Sequence, residues 1–239
     1  MSLDWRAAGV FLAGTPILWL TVTLLAYVVA LRVYRHSGGN PLLLPVLTAV
    51  VVVVAALLLT RTPYPVYAGS TQILFFLIGP ATVALAVPLY NQLERLKRLW
   101  WPVTVALLAG SLTAILSAIG IAWFLGASFE TVLSLAPKSA TMPIAMEVAG
   151  VTGGLPSLTT VAVALTGIAA AMLTGGMSRM MRIDDPAVQG FALGLTGHAI
   201  GTAQALKLDE TAGAFAALAM GLNGIATALL VPVVLALLY

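Results

Sequence analysis

Seven apolar stretches of membrane-spanning length, joined by connections too short to fold on their own, constrain this chain more than any single motif does. They run over Ala7–Leu31, Pro41–Leu59, Ala68–Tyr90, Trp101–Leu125, Pro156–Met177, Pro186–Leu206 and Ala212–Leu238. The chain is 61% hydrophobic and only 8% charged, so a water-soluble fold would leave most of its apolar side chains on an exposed surface. Soluble enzymes and nucleic-acid binders are excluded on that ground. The first stretch lacks a basic region before it and ends in Arg32 and Arg35, not in a small-residue cleavage site, so it reads as a retained membrane helix. Linkers such as Arg61–Tyr67, Asn91–Trp100 and Arg179–Asp185 hold no soluble domain, and no phosphate-binding loop occurs.

Phe129–Gly150 is the ambiguous segment, since it carries Glu130, Lys138 and Glu147 together with two prolines. Without a crossing there, seven basic residues (Arg32, Arg35, Arg95, Lys97, Arg98, Arg179, Arg182) face three (Arg6, Arg61, Lys207), whereas a crossing makes the split six to four. The positive-inside rule therefore favours a re-entrant segment at 129–150. It places the N-terminus outside and the C-terminus inside. With no cysteine and only two histidines, disulfides, thiolate chemistry and a His-built metal site are excluded, and no cofactor is expected.

Two stretches, from Gly79 and from Gly194, resemble each other at an offset of 115 residues. Gly79, Pro80 and Pro88 interrupt the first mid-membrane, and Gly194, Gly197 and Gly201 punctuate the second. The hydroxyls of Thr82, Thr196 and Thr202 follow these breaks. The expectation is an all-α polytopic membrane protein in one domain, 1–239. An extra N-terminal helix at 7–31 precedes repeat 1 (41–125), the re-entrant segment and repeat 2 (156–238), the two repeats being inverted three-helix units with discontinuous helices. Unwound backbone in hydrocarbon is costly unless it lines a polar cavity, so broken helices point to a binding site. Their free N–H groups suit an anion.

Lys138 lies in LAPKSATMPIAME, where Pro137 and Pro143 preclude an ordinary helix throughout. It reads either as an anion-binding cation at a polar tip with Ser139 and Thr141, or as a charge that snorkels or pairs with Glu147 or Glu130. His198, between Gly197 and Gly201, reads either as a proton-coupling group or as a neutral imidazole bonded between helices. Glu147 is a second candidate for ion coupling. Asn223 in MGLNGIATALL either touches substrate or satisfies unwound backbone.

These motifs resemble the LrgB/CidB family, which includes the membrane domain of the plastidal glycolate/glycerate translocator. The resemblance runs from about Asn40 to Val233 and rests on GPATVALAVPLY, LAPKSATMPIAME, GGLPSLT, DPAVQGFALGLTGHAIGTAQAL and AMGLNGIAT in that order. Ala140 and Gly197 stand where the family usually has a hydroxyl residue. The resemblance implies either of two roles in the bacterial inner membrane. One is a non-enzymatic secondary transporter of small monocarboxylates of the glycolate, glycerate or pyruvate kind. Apart from the resemblance, carriers of this kind often need a stationary dimer interface, for which the extra first helix Ala7–Leu31 is the candidate, so a homodimer is expected. The other is a holin/antiholin-like regulator of murein hydrolase export and autolysis beside a small holin-like partner membrane protein. Opposed broken crossings and an embedded Lys favour the transporter.

Overall fold

Proline opens or enters the first turn of most of the long helices, where its missing N–H costs nothing, and residues with positive φ close several of them. The structure is a computed structural model; it describes residues 16–238, except for the side chains of Pro16, Pro41 and Thr82. Residues 7–15 of the expected first helix lie outside the described residues. Every regular element among those described is helical. The protein is an all-α polytopic membrane protein, with five helices long and apolar enough to cross: Ile17–His36, Gln72–Asn91, Leu93–Phe124, Pro156–Met180 and Glu210–Leu238. Two compact units divide the chain, up to Ala84 and from Leu85 onward.

In the first unit, α1 (Pro16–His36) packs on α2 (Pro45–Thr60) through Ala26, Ala30, Ala49 and Val53. Small side chains let these backbones approach closely, the usual solution where lipid offers no hydrophobic drive between helices. A short 3-10 turn, Pro41–Leu43, is capped by Asn40, whose side chain accepts from Leu42 N at 2.9 Å. Arg61, at φ 54°, ends α2. Tyr67 of α3 (Tyr64–Ser70) meets Trp19 edge to face at 6.0 Å and bonds Thr23 Oγ1 at 3.2 Å. In α4 (Gln72–Ala84) the helix continues through Gly79 and Pro80, and Leu85 separates it from α5 (Ala86–Asn91), which contains Pro88.

The second unit is built on α6 (Leu93–Phe124), α9 (Pro156–Met180) and α11 (Glu210–Leu238), three long helices between which two shorter segments fold back. At one end of this unit Asn91 donates to Glu210 (3.1 Å), and Arg95 makes two 2.8 Å bonds to Asp185. At the other end Ile115, Ile119 and Ala122 of α6 pack with Val132, Leu133, Val231 and Leu235.

The first fold-back comprises α7 (Phe129–Leu135), a turn, and α8 (Met142–Thr152). Ser128 caps α7 by accepting from Thr131 N at 3.3 Å, and Gly153, at φ 92°, ends α8. Ser134 of α7 holds the start of α9, just past α8, against the first limb: its Oγ accepts from Leu155 N at 2.7 Å, and its carbonyl accepts from Thr159 Oγ1 at 2.9 Å. Both ends of this segment therefore lie at the Val231–Leu235 end of α11.

The second fold-back is α10 (Pro186–Leu208), and here the structure departs from the expected discontinuous crossing. His198 has φ 41° and ψ −128°, which no helix accommodates. Gly201 consequently lies against the carbonyl of Leu193, although eight helical residues would hold the two ~12 Å apart. Leu193 shares a small core with Ala205, Ala212 and Ala216. The segment thus runs inward over 186–197 and back over 199–208. Gly190 and Gly194 face the carbonyls of Ala212 and Ala216 on α11 so closely that a Cβ at either would overlap main chain, which seats the inward limb directly on α11. The interruption expected at Gly197 and Gly201 takes the form of a complete reversal between them. Its physical reason is one residue with positive φ, not a proline or a glycine.

Candidate functional site

Two hairpins enter the second unit from opposite ends, and their tips meet beside Asn223, halfway along α11. Asn223 Nδ2 donates to Ser139 O in the first tip (2.8 Å) and to Leu195 O in the second (3.0 Å). Its Oδ1 accepts from Ser111 Oγ of α6 at 2.7 Å. The residue is 1% exposed.

The first tip is the turn Ala136–Thr141. Pro137, Ser139 and Ala140 are buried there and Lys138 is half-buried. Among the described residues the ion pairs are Arg95–Asp185 and Lys97–Glu94, so neither Glu130 nor Glu147 neutralises Lys138. The hydroxyls of Ser139 and Thr141 make no hydrogen bond among the described residues, and Thr141 stands at the N-cap of α8 without bonding its first turn. The first tip thus combines an ammonium, two uncommitted hydroxyls and an uncapped helix start carrying partial positive charge. Pro143 sits within the first turn of α8, where it begins the helix and does not interrupt it. Glu147 is one turn further on and exposed, away from the tip.

In the second tip His198 is 4% exposed, with Nε2 2.9 Å from Val163 O on α9. A carbonyl only accepts, so Nε2 carries the proton and donates. Nδ1 has no partner. Thr202 is buried and donates its hydroxyl to His198 O at 2.8 Å, and that hydroxyl also lies 3.7 Å from Met220 Sδ. The return limb begins at Ala199, so a second helix start lies at this tip. Thr196 points elsewhere: it bonds Ala192 O at 2.6 Å and lines an apolar cleft of about 460 Å³ between α6 and the inward limb, with Ala106 and Phe191. The Thr82 side chain lies outside the described residues. Among the described residues no cluster of His, Asp or Glu could hold a metal ion.

Lys138, Ser139, Thr141, His198, Thr202 and Asn223 are therefore gathered on the two tips or where they meet. Thr196 and Glu147 are not. Ser111, the Val163 carbonyl and Gly167 belong to the site and went unmarked in the sequence. Ser111 is one of many hydroxyls in apolar runs, and a backbone carbonyl leaves no trace in residue identity.

The fold and tips define a polytopic membrane protein with two opposed re-entrant hairpins closing on one buried amide. The chain belongs to the LrgB-like family, whose sequence model it matches over residues 23–237. It is similar to the antiholin-like protein LrgB of Bacillus cereus strains B4264 and AH187 and of Bacillus anthracis strain A0248. Each is 30% identical over 218 residues, covering 91% of this chain and 95% of the relative. No solved structure matches it.

Proposed function

We propose that this chain is a carrier of small organic monoanions, in particular monocarboxylates, across the bacterial inner membrane. The observation that supports this reading is the meeting of two hairpin tips at Asn223 with an unpaired Lys138 on one of them. Helix starts inside a bilayer are costly unless something satisfies their N–H groups, and a carboxylate does so while also pairing with the ammonium. One uncompensated cation suits one negative charge. The tips belong to hairpins entering from opposite ends, so opening either would expose the same point to one side of the membrane.

The basic residues of the second unit support an orientation. Arg95, Lys97, Arg98, Arg179, Arg182 and Lys207 all flank its Asp185–Glu210 end, and no Lys or Arg flanks the other. By the positive-inside rule the first end faces the cytoplasm. With α10 reversing at His198, this orientation has the far end of α11 outside, in place of the inside position expected from a discontinuous crossing.

The relatives' names favour a second reading, an antiholin-like role, which the family resemblance extends to control of murein hydrolase export. Flux through proteoliposomes separates the two. A carrier shows saturable uptake of pyruvate, glycolate or lactate, counterflow by unlabelled substrate, and exclusion of sucrose. Non-saturable release of both kinds of solute, or no flux beside a restored autolysis phenotype in cells lacking the native protein, supports the antiholin-like role.

A further inference from the structure

We propose that Asn223 is a positioning residue that ties the two hairpin tips together, and that it is not a ligand of the transported anion. The assignment rests on the carrier reading above. A primary amide has two N–H donors, and both are spent on carbonyls, which can only accept. Its oxygen takes the Ser111 hydroxyl. No donor remains for a carboxylate.

Neither of the two carbonyls it serves has an i+4 helical partner. Four residues after Ser139 stands Pro143, which has no N–H. Four residues after Leu195 stands Ala199, whose N–H lies beyond the reversal at His198. Asn223 supplies one replacement donor to each tip from a single side chain, with Ile144 seated against Gly224 beside it. Withdrawing a tip breaks one of these bonds and leaves the other, so one gate opens while its opposite stays tied. The carbonyl that is let go needs water or substrate to satisfy it, and an opened gate supplies both.

The test uses the full chain in proteoliposomes. Because it contains no cysteine, Ala140→Cys and Ala199→Cys report on the two tips through membrane-impermeant maleimides applied from each face. Adding Asn223→Ala is expected to speed labelling at both tips by about tenfold, the effect of losing one buried hydrogen bond. Counterflow exchange should collapse into downhill leak while KM for the carboxylate stays within about twofold, because no ligand has been removed. Ser111→Ala, which only loosens the amide, should shift labelling the same way by less and keeps the test open should Asn223→Ala not fold. Unchanged labelling in both variants, or a raised KM with unchanged labelling, overturns the tie and makes Asn223 a ligand or a packing residue. If the parent protein carries no carboxylate at all, the carrier reading fails, and the labelling rates alone still decide whether Asn223 joins the tips.

Discussion

The imidazole of His198 occupies the space that a side chain at Gly167 would need. A Cβ on Gly167 would stand 2.6 Å from His198 Cε1 and 2.8 Å from Nε2, closer than carbon atoms approach without displacement. The ring cannot retreat freely, since Nε2 is held at 2.9 Å by Val163 O one turn earlier on the same helix. Gly167→Ala should therefore push the ring off its carbonyl and loosen the second hairpin, at a cost of about 1–3 kcal/mol. Thermal unfolding in detergent measures it. In a His198→Ala background the same substitution should cost much less, because the conflict is between these two residues. Equal costs in the two backgrounds would remove His198 as the cause.

The two hairpins make an explicit topological prediction. Single cysteines replacing Ser128 and Thr152, at the ends of the first hairpin, should react with an impermeant maleimide from one face. Cysteines replacing Asp184 and Leu208, at the ends of the second, should react from the opposite face. Opposite-face labelling within either pair means that hairpin spans the membrane, and the meeting of two tips is lost with it.

The sequence made the helical, polytopic character legible, because segments of twenty apolar residues have no other stable home. It also marked Lys138, Ser139 and Thr141 as a polar turn, since prolines at 137 and 143 forbid a regular helix around them. The reversal within Pro186–Leu208 was not legible. A straight helix and two stacked limbs need the same apolar residues, and the difference lies in the φ angle of His198, which residue type does not encode. Gly79 and Pro80 read as a break for the opposite reason. A proline penalises a helix interior on average, yet α4 carries Pro80 through to Ala84. Asn223 was visible as a buried amide, but its role depends on partners 28, 84 and 112 residues away in the chain.

Lys138 carries the charge selectivity if the carrier reading holds. Lys138→Gln keeps much of the length and polarity but removes the charge, so carboxylate affinity should fall by about 1–3 kcal/mol while the protein still folds. Lys138→Arg should restore it only partly, because a planar fork replaces a compact ammonium. The check is the concentration dependence of counterflow in proteoliposomes. Normal affinity in Lys138→Gln would make the ammonium a snorkelling charge and move the anion elsewhere.

On the carrier reading, His198 is the group we propose to compensate the anion's charge. Among the described residues it is the histidine placed inside the bundle, and its unpaired Nδ1 can accept a proton while Nε2 keeps its bond to Val163 O. Carrying a proton with the anion makes uptake electroneutral and removes the ~2.3 kcal/mol per charge that a 100 mV inside-negative potential would impose. Gln at this position can still donate to Val163 O through its amide, so the tip keeps its anchor while losing the titrating group. His198→Gln should then leave substrate-for-substrate exchange largely intact and abolish accumulation driven by an imposed pH gradient. His198→Ala, which loses the anchor as well, should impair both. If pH-driven accumulation survives in His198→Gln, the imidazole is a structural bond between α9 and the second hairpin, and compensation passes to a cation or to anion exchange.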